Sequence, residues 1–149
     1  MRAINLLLGE YGESHQNPTN KWIHWICVPI IMFSLIGLLW TVTLVGPLTV
    51  GMVFLGSASL YYLRLSGNLF VGMLLVSLLM AWGIMAVEQV AGSSAWKIHF
   101  ALFAAAWVGQ FIGHKIEGRK PSFFKDLQFL LVGPAWLLHF VYRKVGIPI

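Results

Sequence analysis

The sequence predicts an all-α fold, a polytopic membrane helix bundle of about five hydrophobic helices preceded by a short interfacial helix. Hydrophobic residues make up 58% of the 149 residues, and charged residues only 10%. A soluble domain carries about 25% charged residues. A chain of this length is mostly surface when folded, so a large core cannot explain the deficit. The size also predicts a single membrane-embedded domain over residues 1–149.

The third observation is a series of apolar stretches, each near the roughly 20 residues that cross a bilayer. In chain order they run over about Trp22–Val42, Leu48–Leu63, Leu69–Val90, Ile98–Ile116 and Leu127–Tyr142. The second and the last are short, so a tilted or re-entrant helix is an alternative to a full crossing at either place.

Local signals support each predicted element in turn. The segment from Ala3 to Tyr11 has a short apolar run followed by polar residues, which is typical of a helix lying on the membrane. Asn17 suits a helix N-cap, and Pro18 suits the first position of the helix that follows. Turn-forming residues separate the later stretches, at Gly46-Pro47, Ser66–Asn68, Gly92–Ser94 and the polar segment Glu117–Asp126.

The distribution of basic residues predicts the orientation of the bundle. Five crossings place the two termini on opposite sides, and the N-terminal side then holds Arg2, Lys21, Arg64, Lys115, Arg119, Lys120 and Lys125. The other side holds Lys97, Arg143 and Lys144. The positive-inside rule makes the N-terminal side cytoplasmic. We therefore expect an integral protein of a bacterial inner membrane, in contact with membrane lipids. A nucleic-acid-binding protein would carry a basic face on a water-soluble body, and the sequence shows none.

Polar residues at the cytoplasmic end of the first helix are the first functional candidates, because ionisable groups in or beside a span are costly. His15 immediately precedes this helix. Asn20 and His24 are four residues apart and share one face of it. Asn17, at the cap, lies beside them in the sequence.

The fourth stretch returns to the same side of the membrane and carries a second polar group. Gln110, His114 and Glu117 are spaced i, i+4, i+7 and share a helix face. Gly109 and Gly113 form a small-xxx-small step, which lets another helix approach closely. The two groups are therefore expected to meet at the cytoplasmic membrane surface.

Three converging imidazoles suit a divalent transition metal such as iron or zinc. The expected ligands are His15, His24 and His114. Asn and Gln side chains can fix the tautomers of such ligands. The candidate catalytic residues beside the ligands are Asn17, Asn20, Gln110 and Glu117. The alternative is that each histidine sits at the interface or forms a hydrogen bond between helices.

Two further histidines are secondary candidates on the opposite side. His99 begins the fourth stretch and His139 lies late in the fifth, where a hydrogen bond between helices is the favoured role over metal binding. Among the basic residues, Arg119 and Lys120 are candidates for holding the head group of a lipid substrate, although such side chains also extend to the membrane surface without binding a ligand.

The sequence resembles the membrane family whose characterised fungal member is an iron(II)-dependent 2-hydroxy fatty acid dioxygenase of phytosphingosine degradation. The resemblance spans nearly the whole chain and rests on two spaced blocks. They are His15-x-Asn17-Pro18-x-Asn20-x-x-x-His24 with Pro29 downstream, and Gln110-Phe111-Ile112-Gly113-His114 with Glu117 and Pro121. A later Gly133-Pro134 also fits the family.

This resemblance implies an oxygen-dependent removal of one carbon from a 2-hydroxy fatty acid, with Fe(II) bound or supported by the three histidines His15, His24 and His114. The implied partners are a 2-hydroxy fatty acid or related lipid, and O2. Self-association into a homo-oligomer is compatible with the sequence. Two alternatives stay open: a non-catalytic lipid- or metal-binding membrane protein, and a metal-dependent lipid hydrolase or hydroxylase.

Overall fold

The computed structural model describes residues 3–118 and 129–149 of the chain. Apart from one small hairpin, the regular structure in these ranges is helical. The elements in chain order are α1 (Ala3–Glu13), α2 (Pro18–Trp40), β1 (Thr43–Val45), β2 (Leu48–Thr49), α3 (Val50–Leu65), α4 (Gly67–Ala91), a 3-10 turn (Gly92–Ser94), α5 (Ala95–Glu117) and α6 (Val132–Val145).

The start of α2 confirms the predicted helix cap. The side-chain oxygen of Asn17 accepts hydrogen bonds from the backbone amides of Thr19 (2.9 Å) and Asn20 (3.4 Å), and Pro18 occupies the first turn. These bonds satisfy donors that have no partner inside the helix. The cap fixes where α2 begins, and therefore how far His24 lies from its start.

The connection between the first two long helices differs from the expected simple turn. Helix α2 ends at Trp40, and strands β1 and β2 then form an antiparallel hairpin around Gly46-Pro47. Gly46 has φ 54°, a left-handed conformation that glycine adopts without steric cost. Strand β2 takes the first two residues of the second apolar stretch, whereas β1 lies between the first two stretches.

The structure establishes an all-α fold with two stretches long and apolar enough to cross a membrane. They are Pro18–Trp40 and Gly67–Glu117, the second containing α4, the 3-10 turn and α5. Helix α3 is a shorter apolar helix. Large apolar side chains are exposed on the long helices, including Trp22 (70% exposed) and Trp82 (67% exposed). The expected five crossings are not confirmed.

Helices α2 and α5 form the most extensive helix pair in the described residues. A Cβ atom added at Gly109 would lie 2.5 Å from the Cys27 sulfur, and one added at Gly113 would overlap the side chain of Asn20. The predicted small-residue step thus lets the two backbones approach closely. Because the pairing runs antiparallel, the end of α5 lies beside the start of α2.

Helix α6 does not continue to the far end of the bundle, as a fifth crossing would require. The Tyr142 hydroxyl, near the end of α6, donates to the backbone oxygen of Asn68 at the start of α4 (2.7 Å). The Tyr62 hydroxyl, near the end of α3, donates to the backbone oxygen of Leu131, just before α6 (2.7 Å). The Tyr142 contact lies at the α3–α4 junction, whereas Leu131 also packs against an interior cluster that includes Ile36 and Ile84. With 14 residues, α6 is also shorter than the roughly 20 residues that span a bilayer.

The return of α6 corrects the assignment of Arg143 and Lys144 to the opposite side. Both lie in the last turn of α6, whose end contacts the start of α4. Of the basic residues that the structure describes, Lys21, Arg64, Lys115, Arg143 and Lys144 lie at this end of the bundle. Lys97, in the first turn of α5, lies at the other end.

Candidate functional site

The imidazole rings of His15, His24 and His114 meet at the end of the bundle where α2 begins and α5 ends. The ring centroids of His15 and His24 are 4.1 Å apart, those of His24 and His114 are 5.5 Å apart, and those of His15 and His114 are 6.2 Å apart. All three side chains are buried, with at most 6% of their surface exposed. The structure thus brings together the three histidines that the sequence singled out.

Backbone carbonyl groups fix the orientation of two of these rings. Nδ1 of His15 lies 2.6 Å from the backbone oxygen of Tyr11, and Nδ1 of His24 lies 2.9 Å from that of Asn20. A carbonyl oxygen only accepts, so each Nδ1 must carry the proton and donate it. In the neutral ring Nε2 then has the lone pair, which is the usual arrangement of a metal-ligating histidine.

Aromatic side chains from outside the two sequence blocks form one wall of the histidine cluster. The ring of Tyr11 in α1 stacks on His15, with centroids 4.3 Å apart and planes 15° apart. The indole of Trp136 in α6 lies 5.3 Å from both the His15 and the Tyr11 rings. Sequence reasoning missed both residues because contacts between α1 and α6 join opposite ends of the chain. They keep one side of the cluster apolar.

Glu117 connects the end of α5 to the loop that carries His15. Its carboxylate accepts hydrogen bonds from the backbone amides of Gln16 (2.9 Å) and Asn17 (3.0 Å) and from the side-chain amide of Asn20 (2.8 Å). Bonds to an ionised acceptor are stronger than those between neutral groups. Glu117 therefore holds the loop before α2 against the end of α5.

The two asparagines divide into a helix cap and a link between helices. Asn17 acts through its cap bonds and its backbone amide. Asn20 is fully buried, and its side-chain amide also lies 3.5 Å from the backbone oxygen of Ser14. Because the Asn20 backbone oxygen holds Nδ1 of His24, this residue joins the Glu117 carboxylate to the histidine cluster.

Gln110 lies beside His24, but the hydrogen-bond partners of Nδ1 in His15 and His24 are the backbone carbonyls described above and not Gln110. It is 6% exposed, and it lines a cavity of about 40 Å³ together with His24, Val28, Ile31 and Met32. Its side-chain oxygen is buried and has no hydrogen-bond partner in the part of the chain that the structure describes. A small cavity with mainly apolar walls therefore lies next to the histidine cluster inside the bundle.

The structure does not form the predicted hydrogen bond between helices at His99. The ring is fully buried against Gly37, and its centroid lies 5.5 Å from that of Phe33. Within residues 3–118 and 129–149, neither ring nitrogen has a hydrogen-bond partner. His99 therefore occupies the α2–α5 seam as a packing residue, far along α2 from His24.

His139 lies at the opposite end of the bundle from His99, which corrects the expectation that these two histidines share a side. It lines a shallow groove with Asn5 and Gly9 of α1 and with Arg143 of its own helix. Burial and the positive charge of Arg143 lower the pKa of His139 from its usual value. The return of α6 is the reason for this placement. Arg119 and Lys120 lie outside the described residues.

The donor set of the histidine cluster fits a divalent transition metal. Three neutral imidazoles are suitable ligands for Fe(II) or Zn(II), and the carbonyl partners of His15 and His24 leave Nε2 as the donor atom in each. Among the described residues, no group of three potential ligands already has the geometry of a formed metal site.

Comparison with known proteins identifies relatives over nearly the full length. The family model described as "2-hydroxy-palmitic acid dioxygenase Mpo1-like" matches residues 1–145. The 2-hydroxy-palmitic acid dioxygenase MPO1 of Saccharomyces cerevisiae is 32% identical over 143 residues, covering 93% of this chain and 79% of the yeast protein. No solved structure matches the chain.

Proposed function

The chain belongs to the Mpo1-like family, and from this we propose that it is an iron(II)-dependent dioxygenase that shortens a 2-hydroxy fatty acid by one carbon. The observation that carries the proposal is the buried cluster of His15, His24 and His114. It coincides with the two sequence blocks on which the family resemblance rests. The yeast relative is named for the same substrate class.

The overall reaction balances with O2 as the only oxidant. A 2-hydroxy acid, R–CH(OH)–COOH, and O2 give the acid R–COOH, CO2 and water. The bond between the carboxyl carbon and the hydroxyl-bearing carbon breaks, and the latter becomes the new carboxyl carbon. Four electrons leave the substrate and reduce one O2. A bound Fe(II) ion supplies the ability to activate O2, as in other non-haem sites with open coordination positions.

The residues of this chain hold and orient the components. We assign the role of metal ligands to His15, His24 and His114. Glu117 and Asn20 join the end of α5 to the loop before α2 and so fix the relative positions of the segments that carry these ligands. Apolar walls from Tyr11 and Trp136 exclude water and so strengthen electrostatic interactions within the site. Arg119 and Lys120 keep their proposed role of attracting the substrate carboxylate.

We further propose that α2, α3, α4 and α5 lie within a membrane, with the histidine cluster at the end richest in basic residues. This end is cytoplasmic by the positive-inside rule. The acyl tail of a lipid substrate then stays among apolar groups while its head reaches the cluster. With α6 returning to the same end, four crossings replace the five that hydropathy suggested.

The first experiment is oxygen consumption by the Fe(II)-loaded, detergent-solubilised full-length protein. We expect one O2 consumed for each 2-hydroxypalmitate, with the acid of one carbon fewer and CO2 as products. Palmitate serves as the control substrate and should give no consumption above background. Binding of the 2-hydroxy acid without any oxygen uptake or shortened product would contradict the dioxygenase and support a lipid-binding protein.

The topology proposal predicts that residues 97 and 144 are labelled from opposite sides. In a Cys27→Ser background, a single cysteine is introduced by Lys97→Cys or by Lys144→Cys and exposed to a membrane-impermeant thiol reagent in sealed inverted vesicles. We expect Lys144→Cys to react and Lys97→Cys to react only after detergent is added. Labelling of both variants or of neither without detergent, or of Lys97→Cys alone, would refute four crossings with α6 at the cytoplasmic end.

A further inference from the structure

The cavity beside the histidine cluster has a polar rim and an apolar floor. His24, Val28 and Ile31 follow each other at i, i+4, i+7 and line it along one face of α2. With a rise of about 1.5 Å per residue, the apolar members lie progressively deeper in the bundle than His24. A ligand with a polar end and a hydrocarbon continuation matches this gradient.

Gln110 lies at the polar rim. Helices α2 and α5 pair antiparallel, with Gly113 against Asn20 and Gly109 against Cys27, so Gln110 reaches the level of His24. Its side chain is 94% buried, and its amide oxygen has no partner among the described residues. Buried polar atoms in folded proteins are almost always hydrogen-bonded, so an exception in a cavity indicates a ligand. An amide oxygen accepts, and its missing partner is a donor.

We propose that the Gln110 side-chain oxygen accepts a hydrogen bond from the 2-hydroxyl group of the substrate and so selects 2-hydroxy acids over unsubstituted fatty acids. This inference rests on the proposed function, of which it names the specificity-determining residue. An unsubstituted acid presents a methylene group and leaves the amide oxygen unpaired. Sites built to bind a hydroxyl group reject analogues that lack it for this reason.

The size of the cavity supports recognition of the substituted end rather than of the whole acyl chain. A cavity that holds benzene measures about 150 Å³, whereas this one measures about 40 Å³. It exceeds the space that a single water molecule requires. A hydroxyl group and the carbon that bears it are therefore suitable occupants, with Val28 and Ile31 against the hydrocarbon side.

The test is a binding comparison under anaerobic conditions, in which no turnover occurs. Dissociation constants of 2-hydroxypalmitate and palmitate are measured by tryptophan fluorescence for the Fe(II)-loaded wild type and for Gln110→Met, which keeps the side-chain length. Chelation of the metal by the substrate hydroxyl group contributes to binding in both proteins. The preference of each protein is its affinity for 2-hydroxypalmitate divided by its affinity for palmitate, and the ratio of the two preferences therefore isolates the contribution of Gln110. We expect the preference for the hydroxylated acid to fall about tenfold, the effect of one net hydrogen bond.

A matched control is Gln89→Met, because Gln89 is an exposed glutamine in the last turn of α4. It should leave the preference unchanged. Val28→Phe, which fills the cavity, should weaken binding of both acids. In the wild type, 2-methoxypalmitate keeps the oxygen but has no hydroxyl proton to donate, and we expect it to bind about tenfold more weakly than 2-hydroxypalmitate.

Two outcomes overturn the inference. One is an unchanged preference in a Gln110→Met protein that retains the helical circular dichroism of the wild type. The other is equal wild-type affinity for the methoxy and hydroxy acids, which tests the proposal even where the variant does not fold. If the wild type consumes oxygen with 2-hydroxypalmitate in either case, the proposed function stands and only the role of Gln110 fails. Absence of any oxygen consumption is a failure of the proposed function itself.

Discussion

Replacement of His24 by alanine is expected to abolish Fe(II) binding and, with it, oxygen consumption dependent on a 2-hydroxy acid. His24 is 1% exposed and is the closest neighbour of both other rings in the cluster, at centroid distances of 4.1 and 5.5 Å. Its loss removes one of three proposed ligands. Loss of an outer partner of a metal site costs about 10–100-fold in affinity, and loss of a ligand should exceed that. Anaerobic iron titration and metal analysis measure the effect.

His99→Ala is the matched control for this variant. His99 is equally buried and lies in the same α2–α5 seam, but it packs against Gly37 at the other end. Both substitutions leave a cavity and should lower the melting temperature. We expect only His24→Ala to lose iron. If His99→Ala lost iron to the same degree, or if a folded His24→Ala protein retained full iron binding, the histidine cluster would not be the metal site.

Replacement of Glu117 by alanine is expected to weaken Fe(II) binding by about 10–100-fold, although Glu117 is not a proposed ligand. Its carboxylate holds the backbone amides of Gln16 and Asn17 and the side chain of Asn20. Without it, the loop carrying His15 loses its attachment to α5. The separation between His15 and His114 is then no longer fixed. Iron titration gives the affinity, and circular dichroism verifies that the helices remain.

Glu88→Ala provides the comparison, because Glu88 is similarly half-buried in the last turn of α4, at the other end of the bundle. We expect its iron affinity to equal that of the wild type. Glu117→Gln should fall between the wild type and Glu117→Ala, since an amide oxygen still accepts but carries no charge. Wild-type affinity in Glu117→Ala would show that the His15 loop is held by other contacts.

Much of the site follows from short-range sequence rules. The cap at Asn17 and Pro18 sets the start of α2, and four-residue spacing then places Asn20 and His24 on one face. The glycine step at Gly109 and Gly113 predicts a close helix partner for α5. These rules hold because backbone geometry and helix periodicity act over only a few residues.

The roles of individual polar side chains were less accessible from the sequence. Glu117 and Gln110 were both predicted to lie near the histidines, and only the structure shows that Glu117 binds the loop before α2 while Gln110 faces a cavity. Their spacing shows that they share a helix face, but not which neighbour each atom meets. Acceptor partners depend on positions of backbone amides about 100 residues away, which no local pattern specifies.

The sequence by itself determined the helical class, the start of α2 and the three histidines that meet, because hydropathy, capping and periodicity are local properties. Only the tertiary structure decided the path of α6, the wall formed by Tyr11 and Trp136, and the separation of His99 from His139. Hydropathy reports the free energy of transferring a segment from water to an apolar environment. This free energy is similar for a helix that crosses the membrane and for one that packs back among its neighbours. The choice between them rests on specific contacts such as the Tyr142–Asn68 hydrogen bond, which join residues distant in the chain.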